Sequence, residues 1–111
     1  MKITEETINI GYEHMVFFKW NQNITRENER ELINELLHFK ELIPGILDIS
    51  AGHNLTEETD KIQGFTLGLR ITFKNQQALK DYDKHPVHKS FKEKIKGIYD
   101  NVLVIDYPIQ N

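Results

Sequence analysis

The chain has 111 residues, 39% hydrophobic and 28% charged, the size and composition of one soluble globular domain with one core. Its formal charge of −3 gives no global attraction to nucleic acid or to an anionic membrane. It has no cysteine, which excludes disulfides and thiolate chemistry, and no apolar run near the ~18 residues of a membrane span.

Residues 1–11 are polar, show no clear period and lack the apolar centre of a signal peptide. They read as an N-terminal extension to a domain at 12–111, and they predict a cytoplasmic location. Residues 12–20 read as the first strand. His14, Val16, Phe18 and Trp20 alternate on one side, and Met15, Phe17 and Lys19 occupy the other. Both sides are mostly apolar, so both are expected to be covered.

Thr25 is placed to cap the first helix, with Glu27, Glu29 and Glu31 near its positive end. Leu32, Leu36, Phe39 and Ile43 recur at helical spacing, and Pro44-Gly45 stops the run. Ile46 to His53 reads as a second strand, and Asn54 to Gln63 as a charged loop. From Gly64 to Phe73, Phe65, Leu67, Leu69, Ile71 and Phe73 alternate with mostly polar residues, the cleanest period of two in the chain. Asn75 caps a short helix to about Asp83, a further helix starts at Pro86 and stops at Gly97, and Val102 to Tyr107 forms the last strand. Residues 80–96 carry six lysines against three acids, which reads as a solvated helix face.

The order β-α-β-β-α-β is the ferredoxin-like split pattern, an α+β fold with helices on one face of a four-stranded antiparallel sheet. The other face is bare. Phe65, Leu67, Leu69 and Ile71 are too apolar for water, so a bare face carrying them predicts a partner.

The most informative stretch is Asp81 to Phe91, with two of the five histidines. Pro86 suits the first position of a helix, and the residue before a proline avoids helical geometry. His85 is then a cap, and His88 falls in the first turn. Free N–H groups, the helix dipole, and Lys84, Lys89 and Lys92 all disfavour a charged His88 imidazole. A neutral imidazole is what a general base or a hydrogen-bond acceptor requires. Tyr82, six residues earlier across the break, can converge on the same pocket.

The run Tyr82-x-x-His85-Pro86-x-His88-x-x-Phe91 resembles the signature of the stress-responsive A/B barrel family, also called Dabb. His14 to Lys19, Ile43-Pro44-Gly45 and Val102 to Tyr107 fit the same pattern in order, so the likeness spans roughly residues 12–108. It implies that two protomers place their sheets face to face and close a homodimeric α/β barrel, and that the His14, Val16 and Phe18 side lines the barrel cavity. It also implies a possible chemistry. One polyketide-cyclising member carries out an aldol cyclisation without metal or cofactor, and a tyrosine and a histidine at the positions of Tyr82 and His88 are assigned the work. That member has a histidine where this chain has Leu67 and a tryptophan where it has Tyr99, which changes the pocket's shape and polarity.

The residues support more than one reading. His88 fits a base, and equally a first-turn histidine bonded to a backbone carbonyl. His14 fits a second polar group in the pocket, or a satisfied core histidine. Phe18, Trp20, Leu67, Leu69 and Tyr99 fit the lining of a small apolar pocket, or ordinary core and interface packing. His85 and His88 alone lack the third and fourth ligands that a metal needs, so neither metal nor cofactor is expected. His38 and His53 read as exposed. Three functions follow. The first is a homodimer of uncharacterised role that binds a small apolar or carbonyl-containing ligand. The second is a cofactor-free enzyme, cyclase-, aldol- or monooxygenase-like, with His88 as base and Tyr82 as acid. The third is a purely structural dimer.

Overall fold

A computed structural model describes residues 10–21 and 24–110, so residues 1–9 of the expected extension lie outside the described residues. The strands are β1 (Tyr12–Trp20), β2 (Ile46–His53), β3 (Phe65–Phe73) and β4 (Tyr99–Pro108). They form one antiparallel sheet in the order β2-β3-β1-β4. The helices are α1 (Arg26–Leu37), α2 (Phe39–Leu42), α3 (Thr59–Ile62), α4 (Gln76–Lys84) and α5 (Pro86–Ile95). This is the ferredoxin-like arrangement that the element order predicts.

Local chemistry sets the boundaries. The Thr25 hydroxyl accepts the Asn28 N–H at 3.0 Å while the Asn28 side chain accepts the Thr25 N–H, a reciprocal cap that starts α1. The expected single helix to Ile43 is broken at His38, whose Nδ1 donates to the Asn34 carbonyl at 2.7 Å. The loop before β3 contains α3, and β4 starts three residues earlier than Val102. Gly45 has φ +89°, and a Cβ there would meet the Ala78 Cβ at 2.6 Å, so glycine is required where the chain turns into β2. Asn75 accepts the Ala78 N–H, His85 Nδ1 accepts the Val87 N–H, and Pro86 opens α5.

The core lies between the sheet and the helices: Leu32, Leu36 and Phe39 meet Phe91 and Ile95, over Val16, Phe18, Leu69, Ile71 and Phe73. The expected faces need one correction. Leu67, Leu69 and Ile71 lie beneath the helices and are buried. The bare face instead carries Thr66, Gly68, Arg70 and Thr72 of β3 and Met15 and Phe17 of β1. It also carries Leu103, Ile105 and Tyr107 of β4, which are 42–49% exposed. A period of two tells which residues share a face, not which face the helices cover.

Candidate functional site

The helices leave β4 uncovered on their own side of the sheet. Val104 pairs with buried Val16, yet it is 49% exposed. Between β4 and the α4–α5 pair the structure opens into a cleft of about 950 Å³. Val16, Phe18, Leu36, Leu69, Phe91 and Ile95 form its apolar floor, and Tyr99, Val102 and Val104 one wall. His14, Tyr82, His88 and Asp106 supply polar groups. The cleft belongs to a single protomer, between its sheet and its helices, and not to the space between two facing sheets.

Pro86 separates α4 from α5 and so turns the end of one helix toward the start of the next. The Tyr82 and His88 rings stack with centroids 4.1 Å apart and planes inclined at 23°. The His14 ring meets Tyr82 edge-on at 5.3 Å. Among the described residues no group bonds the Tyr82 hydroxyl, and no fully buried side-chain polar atom lacks a partner. The hydroxyl therefore opens to the cleft. Burial pushes its pKa well above the ordinary phenol value, with Asp83 and Asp106 adding to the shift. It stays protonated and can donate.

His88 is half-buried. Its Nδ1 lies 3.3 Å from the Asp83 carbonyl oxygen, so Nδ1 carries the proton and donates. Nε2 keeps its lone pair. Burial holds the imidazole pKa below its ordinary 6.5, and Lys92 pushes the same way, while the bond to Asp83 opposes both. The backbone bond and the cleft-facing position thus coexist in one side chain.

Asp106, unmarked in the sequence, is the fourth polar member. Its carboxylate accepts from His14 Nδ1 at 2.5 Å, from the strand position directly opposite. That bond holds the His14 ring in place through Nδ1. The pairing spans 92 positions, and only the β1–β4 register reveals it.

Phe18, Leu69 and Tyr99 line the cleft with His14, Tyr82 and His88. Leu67 does not: it is 1% exposed, pairs with Phe18 and His53, and sits in the closed part of the core. Trp20 is also outside, its indole N–H donating to Glu29 at 2.7 Å. Glu29 is itself a buried carboxylate that accepts from Thr66 at 2.7 Å and from His53. His53 is therefore held at the end of β2 rather than free in a loop. Among the described residues, no three histidines or carboxylates are grouped to hold a metal ion.

Fold and cleft together define a ferredoxin-like α+β domain with a small-molecule-sized pocket between helices and sheet. Residues 12–109 match the stress responsive A/B barrel domain, and the chain belongs to that family. It is similar to olivetolic acid cyclase of Cannabis sativa, 25% identical over 98 residues that cover 88% of this chain and 96% of that protein. Among solved structures, it resembles an Arabidopsis thaliana protein at 28% identity and a TM-score of 0.81, covering 90% of this chain and 96% of that one. Hydroxynitrile lyase from Passiflora edulis shares the fold at 16% identity and a TM-score of 0.80, covering 92% and 95%. A dimeric ferredoxin-like protein from Thermobifida fusca does so at 16% and 0.79, covering 98% and 100%.

Proposed function

We propose that the chain carries out cofactor-independent acid–base chemistry on a carbonyl-bearing small molecule held in this cleft. The stacked Tyr82–His88 pair carries the reading. His88 Nε2 takes a proton from the carbon beside the carbonyl, the C–H electron pair becomes the enolate, and the Tyr82 phenol donates a hydrogen bond to the enolate oxygen. An enolate formed in a water-poor apolar cleft can attack a second carbonyl of the same molecule, or the reverse C–C cleavage can occur. The imidazolium gives its proton to the alkoxide formed in the attack, or to the enolate released in the cleavage, and His88 returns to its starting state. His14, fixed by Asp106, is a second polar group near the same ring. The resemblance to a cyclase over nearly the whole chain supports this chemistry; the substrate is a separate question, because Tyr99 alters the wall of the cleft.

A second reading, ligand binding without turnover, has the cleft's largely apolar walls in its favour. The two are separated by incubating the protein in deuterium oxide with methyl ketones and β-diketones and following exchange beside the carbonyl by NMR. Exchange that falls at least ~100-fold in both His88→Gln and Tyr82→Phe supports acid–base chemistry. Binding with no exchange above buffer leaves the binding reading.

The functional unit in this reading is a homodimer. Met15, Phe17, Leu103, Ile105 and Tyr107 form an apolar patch on the bare sheet face, and a second copy laid on it covers both patches at once. The Thermobifida fusca neighbour, described as dimeric, supports the assignment.

A further inference from the structure

Four lysines stand on the helical rim of the cleft: Lys80 and Lys84 from α4, Lys92 and Lys96 at α5 and its C-cap. Lys80 and Lys84 are neighbours one turn apart on α4, and Lys92 stands four residues before Lys96. All four are exposed, and among the described residues none makes an ion pair; Lys61, Lys94 and Arg70 do. Asp83 and Glu93 also border the cleft, and the third carboxylate, Asp106, is held by His14. The helical rim is therefore cationic, four lysines against two acids, above a floor of Phe18, Leu69, Phe91 and Ile95. A solvated helix face explains charged residues; it does not explain lysines concentrated where two helices border an apolar cleft.

We propose that the cleft takes a single-chain amphiphile with a compact oxyanion head, its tail on the apolar floor and its head on these lysines. This rests on the reading that the cleft holds a small molecule, and it names that molecule's class. A carboxylate and a phosphate monoester satisfy the same lysines, and the volume of about 950 Å³ accommodates either. Salt screens the attraction between the head and the ammonium groups, so binding depends on ionic strength.

The test compares decanoate, decyl phosphate and neutral 1-decanol, below their aggregation thresholds, by calorimetric titration at low and high salt. Both anions are expected to bind about 10-fold tighter than decanol at low salt, with the preference falling to about 2-fold near ~0.5 M salt. Decanoate above decyl phosphate marks a carboxylate site, and the reverse order a phosphate site. The double variants Lys80→Glu/Lys84→Glu and Lys92→Glu/Lys96→Glu are expected to erase the preference while decanol affinity and circular dichroism stay unchanged. Lys61→Glu/Lys89→Glu, off the rim, is expected to keep it. Decanol binding as tightly as the anions, or a preference that survives both charge reversals, overturns the inference and leaves the small-molecule reading intact. No binding of any of the three by the folded protein removes both.

Discussion

The Tyr82 ring lies against the His88 imidazole at 4.1 Å, across the helix break that Pro86 creates. Stacking places a proton donor and a proton acceptor side by side on one cleft. Neither bonds the other, so both remain open to a third molecule. Removing the hydroxyl alone isolates its role. Tyr82→Phe is expected to keep stability within ~1 kcal/mol, because no protein hydrogen bond is lost. It is expected to lower turnover about 100-fold. Urea denaturation and the exchange assay check the two parts, and a large stability loss contradicts the open hydroxyl.

The depressed His88 pKa makes stability depend on pH with a definite sign. Above the ordinary 6.5, the imidazole is neutral both folded and unfolded. As pH falls through that value the unfolded chain takes the proton first, so native stability declines until the lower folded pKa is also passed. Wild type is therefore expected to lose more stability than His88→Gln between pH 7.5 and pH 5 in urea titrations. Parallel curves contradict the assignment.

Glu29 is buried at 4% exposure and accepts from Trp20, Thr66 and His53, tying α1 to three strands. Glu29→Ala leaves the buried Trp20 indole N–H without its acceptor and takes the partner from Thr66 and His53. It is expected to cost ~2–4 kcal/mol, read from the denaturation midpoint. The cluster lies outside the cleft, so ligand affinity at a temperature where the variant is folded is expected to stay unchanged.

The bare sheet face predicts the assembly. Leu103→Lys with Ile105→Lys puts charges into a patch that two-fold symmetry doubles. Light scattering is expected to show twice the chain mass for wild type and a single chain mass for the variant. A wild-type monomer contradicts the dimer.

Much of the fold was legible, because single-residue signals marked it. Thr25, Asn75 and His85 cap as their chemistry predicts, Pro86 opens α5, and the alternation in β1 and β3 marks real strands. Tyr82 and His88 were legible as a pair because one local break joins them. Asp106 and Glu29 were not. Each looks like a surface acid until sheet register or a helix contact brings its partners, 92 residues away for His14 and 37 for Thr66. Leu67 was misplaced because alternation does not tell which face the helices cover, and the open part of the covered face lies beside β4, where the helices stop.

The central claim is that His88 stands neutral, with its Nε2 lone pair open to the cleft. The most direct measurement is the imidazole nitrogen NMR shifts of the histidine-labelled protein, followed from pH 8 to pH 4.5. The account predicts the Nδ1–H tautomer at pH 7, protonation only below the ordinary 6.5, and the same pattern in Tyr82→Phe. An imidazolium at pH 7, or a proton on Nε2, contradicts it.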